Sequence, residues 1–227
     1  MFMRIILIAL IICLLSPCAF SAPCYGTKMP FQGEFFARFQ TNVMFKRHLK
    51  GNYGTIRSRQ QFFGISYGVF DWLAIDLKAG AGNIKQNPAG SDEIDYNTSF
   101  AGGYGLRLKL YDKEKIRAVF GFQHISVHPS SVYINGVKNK AVLDDWQASL
   151  LGSYDFSKIT PYMGLKWSRI DYIHWVGDSR KRKMSDLSKT LGLVFGFDLD
   201  LTPKTSVNLE GKFLHGESVS ASFNFKF

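Results

Sequence analysis

From Glu34 onward, apolar and polar positions alternate with a period of two. In 190–201 (TLGLVFGFDLDL), Leu191, Leu193, Phe195, Phe197, Leu199 and Leu201 oppose Thr190, Gly192, Val194, Gly196, Asp198 and Asp200. The same split runs through 72–82 (WLAIDLKAGAG), 100–110 (FAGGYGLRLKL), 206–213 (SVNLEGKF) and 34–45 (EFFARFQTNVMF). That period belongs to a β-strand, whose successive side chains point to opposite faces. Ten such stretches are predicted: 33–45, 53–69, 72–84, 98–111, 115–128, 142–155, 158–172, 189–202, 205–214 and 218–227. Most run well beyond the roughly 5–6 residues of a globular strand. They match the roughly 9–11 residues that a tilted strand needs to cross a bilayer.

The connections alternate as well. FDW, DKE, SK and PK close strand pairs tightly, whereas 85–97, 129–141 and 173–188 are long. Short turns on one side and long loops on the other are the pattern of a transmembrane barrel, and an even strand count puts both chain ends on the short-turn, periplasmic side. The predicted fold is all-β: an antiparallel up-and-down transmembrane barrel of about ten strands, eight and twelve being the neighbouring even counts. A soluble sandwich would also alternate. It would have little use for Asp76, Lys78, Arg107, Lys109, Asp198, Asp200, Glu210 and Lys212 on strands of this length.

The chain starts differently. Arg4 precedes an apolar run from Ile5 to Leu15, and Ala19 and Ser21 stand at the −3 and −1 positions of a cleavage site. Residues 1–21 therefore read as a secretory signal peptide, 22–32 as a periplasmic N-terminal segment and 33–227 as the barrel. Removing residues 1–21 leaves Cys24 alone, which excludes an internal disulfide or a cysteine-based metal site. No metal or cofactor motif is present. The net charge of +10 becomes +9 once Arg4 is gone. For an exported chain this points to anionic envelope components, lipopolysaccharide above all, and not to nucleic acid.

The signal sequence, the long alternating strands, the loop asymmetry and the ending SASFNFKF together resemble a bacterial outer-membrane β-barrel. The resemblance implies location in the outer membrane and a monomer in contact with outer-membrane lipids and lipopolysaccharide. It also implies recognition of the last strand, with Phe223, Phe225 and Phe227, by the barrel assembly machinery. The charged face then lines the lumen: Glu34, Arg38, Asp76, Lys78, Arg107, Lys109, Arg117, Gln123, Asp145, Gln147, Lys166, Asp198, Asp200, Glu210, Lys212 and Lys226. A ten-stranded barrel is barely wider than one filled by its own side chains, so these charges should pair into a polar plug. Closure of the first strand on the last should bring Glu34 close to Lys226.

Basic residues concentrate in the exposed loops: Lys46, Arg47 and Lys50 in one, Arg180, Lys181, Arg182 and Lys183 in another. The leading expectation is a non-enzymatic, porin-like or surface-exposed barrel. Its basic loops would contact polyanions, with limited small-solute passage. One alternative is a partner-binding barrel of an envelope complex. The other starts from FQHISVHPSS (122–131), in which His124, Ser126 and His128 share one face. His-x-Ser resembles the active-site strand of outer-membrane lipid A deacylases, which implies His124 as base and Ser126 as nucleophile. The continuation Val127-His128-Pro129 departs from that family's Asn-Ala-Gly, and the nearest acids are Asp144 and Asp145. Omptin proteases use an Asp-x-His dyad; here Asp171 and His174 are three apart and so on opposite faces.

Overall fold

The computed structural model describes residues 25–185, 189–214 and 216–227; the predicted signal peptide and Cys24 lie outside them. Among the described residues there are twelve strands: β1 (Phe35–His48), β2 (Thr55–Phe70), β3 (Leu73–Asn87), β4 (Ile94–Lys113), β5 (Ile116–Val127), β6 (Val132–Ile134), β7 (Val137–Tyr154), β8 (Ile159–Val176), β9 (Ser179–Met184), β10 (Leu191–Thr202), β11 (Thr205–Phe213) and β12 (Glu217–Lys226). Ten of them form one antiparallel ring, closed by β1 on β12 and by β7 on β8. β6 and β9 stand outside the ring, on β7 and β8. The ten predicted strands are thus all present. β4, β7 and β8 rise further than predicted, and 179–184 form a strand where a loop was expected.

Along β8 the outward side chains Met163, Leu165 and Trp167 are exposed and apolar, opposite buried Lys166 and Ser168. Two residues higher the pattern inverts: Arg169 and Asp171 face out, while Ile170 and Tyr172 are fully buried. β2 inverts likewise, with Phe63, Ile65 and Tyr67 giving way to Arg59 and Arg57 on the outer face and Ile56 on the inner. Apolar outside and polar inside is the arrangement of a wall in lipid; the reverse is that of a wall in water. From Ile159 to Arg169 the wall climbs about 25 Å, taking a rise of roughly 3.3 Å per residue and a tilt of about 40°. That is the height of an outer-membrane hydrocarbon band. The chain is an outer-membrane β-barrel, and its strands continue as a collar above the bilayer.

At the periplasmic rim the stacked Phe70–Trp72 pair and the Phe35–Tyr67 and Phe35–Phe227 contacts form an aromatic girdle, as interfacial rings do. Lys226 Nζ lies 2.8 Å from Glu34 Oε1, as closure of β1 on β12 requires. This contact holds the Glu34 carboxyl below its ordinary pKa.

The lumen has two layers. The lower layer is ionic: Arg107 donates to Asp76 through Nε (2.9 Å) and Nη2 (2.8 Å). Lys212 pairs with Glu210 at 3.1 Å, and Tyr162 donates to Glu210 at 2.9 Å. Gly196 leaves room for that tyrosine, since a Cβ there would lie 2.4 Å from its ring. A relay runs from Lys78 through Gln123 and Gln147 to Asp145 and Ser168. The upper layer is apolar, with Met44, Ile56, Ile84, Tyr96, Ile125, Leu143, Ile170 and Tyr172 in one cluster. The expected polar plug therefore fills only the lower lumen. Inward positions above the bilayer behave as the core of a water-soluble domain.

Residues 25–31, assigned by sequence to a periplasmic segment, enter the lower lumen. Tyr25 packs under Arg38 (4.6 Å) and Lys78 (4.4 Å), Thr27 donates to Ser153 (2.7 Å), and Lys28 pairs with Asp200 (2.5 Å). The Lys28 carbonyl accepts from Arg107 Nη1. Below the segment a vestibule of about 300 Å³ opens between Phe31, Asp200 and Lys226. In planar bilayers the reconstituted barrel should be electrically silent at porin-type conductances. Stable open steps from the pure protein would contradict the filled lumen.

Candidate functional site

The candidate lumen residues point inward. Arg38, Asp76, Lys78, Arg107, Asp145, Lys166, Asp198, Glu210 and Lys212 are buried. Lys109 and Arg117 pair with Asp112 at 2.9 and 3.3 Å near the mouth, beside Asp200 and the Glu34–Lys226 pair. Arg107 pairs with Asp76, Lys212 with Glu210, and Asp200 with Lys28 of the N-terminal segment.

The basic candidates divide. Lys46, Lys50, Arg180, Lys181 and Arg182 are exposed on the collar, and Lys183 lies over the Tyr53 ring at 4.7 Å. Arg180–Lys183 belong to β9, so their side chains alternate between two faces. Arg47 is not part of this surface. It is 1% exposed and donates through Nη2 to the Ser168 carbonyl at 2.7 Å and to Ser185 Oγ at 3.3 Å. The register of β1 shifts between Met44 and Arg47. One extra residue reverses the facing of everything above it, which turns Lys46 out and Arg47 in.

A cluster of reactive side chains lies on the outer wall where the apolar belt ends. On β5, Phe120, Phe122, His124 and Ser126 face outward; β7 pairs with this strand and sets Asp144 directly across from Ser126 and Trp146 across from His124. Ser126 Oγ lies 2.8 Å from His128 Nε2. The same hydroxyl donates to Asp144 Oδ1 at 2.5 Å. His124 Nε2 lies 3.6 Å from that oxygen, outside hydrogen-bond range. Its ring packs on Trp146 at 4.1 Å and on Tyr104 at 5.4 Å. Below are lipid-facing aromatics; above are collar residues in water.

This arrangement brings together a hydroxyl, an imidazole and a carboxylate, the residue types of a serine nucleophile and its base, with the hydroxyl proton directed at Asp144 and His128 Nε2 on the other side of Oγ. It differs from the sequence expectation in the histidine: His128, and not His124, touches the serine. Asp144, one of the two nearest acids in the sequence, lies across from Ser126 because β5 and β7 pair at that level. Asp145 faces inward and belongs to the lumen relay. Among the described residues no group of His, Cys, Asp and Glu has the geometry to hold a metal ion.

No family model matches the chain, and no curated protein matches it. Solved structures similar to it include the translocator domain of autotransporter NalP from Neisseria meningitidis, at 12% identity over 88% of this chain and 90% of that one, with a TM-score of 0.48. Also similar are the outer membrane protease OmpT from Escherichia coli (11% identity, 90% of this chain, 100% of that one, TM-score 0.44) and Ail, the attachment invasion locus protein of Yersinia pestis (7%, 87%, 100%, 0.44).

Proposed function

We propose that the barrel is an ester hydrolase that cleaves acyl chains from lipids of the outer leaflet, working from the membrane side of its wall. The carrying observation is Ser126 Oγ, 2.8 Å from His128 Nε2 and 2.5 Å from Asp144 Oδ1, on outward positions at the bilayer boundary. Acyl esters of membrane lipids lie just beneath their headgroups, at that level. For reaction the Ser126 hydroxyl turns its proton from Asp144 Oδ1 to His128 Nε2, 2.8 Å away, and Oγ attacks the ester carbonyl carbon as that proton passes to the imidazole. The carbon–oxygen bond to the alcohol breaks, and the alcohol leaves with that proton. Water then cleaves the acyl-serine and releases the fatty acid. Asp144 offsets the positive charge that the imidazole gains. Lipid A, the acylated glycolipid of that leaflet, is the substrate class that the position of the site suggests; the His-x-Ser resemblance adds little, because His128 and not His124 touches the serine. The filled lumen weighs against a porin-like role.

A second reading, a non-enzymatic surface barrel that contacts polyanions, has its own support. Lys46, Arg57 and Arg59 are exposed on β1 and β2 above the apolar belt. A fluorophosphonate probe separates the two, since it bonds phosphorus to an activated serine Oγ and expels fluoride. Peptide mapping should find the adduct on Ser126 of the folded protein and not on the His128→Ala variant. Absence of labelling, or equal labelling of heat-denatured protein, removes the hydrolase and leaves the second reading.

A further inference from the structure

One strand beyond Asp144, the same patch carries two arginines. β8 pairs with β7 so that Arg169 lies across from Trp146 and Asp171 across from Asp144. Arg169 Nη2 contacts Asp171 Oδ1 at 3.5 Å and Met184 Sδ at 2.9 Å. Arg182, on β9, reaches Asp171 Oδ2 from above. The Asp171 side chain is only 4% exposed, whereas those of Arg169 and Arg182 are 38% and 52% exposed. One sequestered carboxylate therefore holds two partly exposed guanidiniums. Two arginines against one aspartate leave one positive charge in the trio. Arg169 Nε is buried without a hydrogen-bond partner.

We propose that Arg169 and Arg182 form a binding site for the phosphate of a lipid headgroup and orient that lipid for Ser126; the substrate part of this inference rests on the hydrolase reading. Guanidinium forks match phosphate oxygens in shape and charge. Arg169 lies two strand spacings from β5, about 10 Å along the wall, and Arg182 on β9 stands one spacing further, with its guanidinium turned back to Asp171. A phosphorylated lipid whose headgroup sits at the collar keeps its acyl chains against Phe122 and Trp146 below. The ester then falls between the two sites. A free anion from the medium has no use for the apolar surface under the arginines, so the site is assigned to a lipid.

The test separates binding from chemistry by using the Ser126→Ala background, in which no turnover is needed. Native mass spectrometry of the folded protein in neutral detergent, with diphosphorylated lipid A and with its dephosphorylated form as probes, should show retention of the phosphorylated lipid alone. Arg182→Gln should weaken that retention about tenfold, and Arg169→Gln with Arg182→Gln by more, whereas Arg182→Lys should restore part of it. Heat-modifiable migration on gels verifies that each variant is folded. Equal retention of both lipids, or no effect of Arg182→Gln, overturns the site. Displacement of the lipid by millimolar inorganic phosphate also overturns it, since the arginines would then be a site for a free anion. If the lipid is retained but no serine is labelled, the binding site stands and the hydrolase fails.

Discussion

Replacing Asp76 by alanine should destabilise the barrel by about 3–5 kcal/mol, the cost of leaving a buried charge without its partner. The Asp76 side chain is 2% exposed and that of Arg107 is 1% exposed. The carboxylate accepts two hydrogen bonds from Arg107 and one from Ser66. Without it, Arg107 shares the lower lumen with Arg38 and Lys78, and all three cations gather around Tyr25. Like charges then face each other in a buried space, where they are poorly screened. Urea unfolding of the refolded barrel in micelles reads the change. Glu34→Gln is the control, because the Glu34–Lys226 pair is about a third exposed and should cost less than about 1 kcal/mol. Replacing Asp76 and Arg107 together by apolar residues of similar volume should recover most of the loss. A loss below about 1 kcal/mol for Asp76→Ala would contradict the role of this pair as the centre of the lower plug.

The largest effect expected on activity is that of Ser126→Ala, a fall in acyl-ester hydrolysis of about 10³-fold or more, since the nucleophile itself is gone. His128→Ala should reduce turnover by roughly 10²–10⁴-fold, the range for loss of a general base. His124→Ala should cost less, because His124 touches neither the serine nor, within hydrogen-bond distance, Asp144. If His124→Ala proves as damaging as His128→Ala, the two imidazoles exchange roles in the working complex. Asp144→Asn retains the hydrogen bond to Ser126 and removes the charge. It should lower turnover while leaving lipid retention intact.

The alternation of Leu191 to Leu201, and its equivalents elsewhere, made the ten ring strands legible, because only a wall with two unlike faces needs such a pattern. What alternation does not reveal is where it inverts. Ile56, Ile84, Ile170 and Tyr172 look like lipid-facing positions until the height of the bilayer is known. The bulge after Met44 has no marker in the sequence, so Arg47 was expected outside. Strand β9 is almost wholly polar and carries no period. The β6–β7 hairpin did have a marker: Asn135 and Gly136 both adopt positive φ, at 50° and 77°, the backbone that an Asn-Gly turn favours. Residues 25–31 have no period either, and their burial depends on partners on β1, β3, β4, β7 and β10, among others. At the candidate site, the shared face of His124, Ser126 and His128 was legible along β5. The convergence of Asp144, Arg169 and Arg182 was not, because it depends on the pairing of β5, β7, β8 and β9.

The most direct measurement is mass spectrometry of outer-leaflet lipids after incubation with the folded wild-type barrel and, in parallel, with Ser126→Ala. The account predicts release of free fatty acid and a lipid lighter by one acyl chain with the wild type, and an unchanged lipid with the variant. Lipid profiles that are the same for both proteins would contradict it.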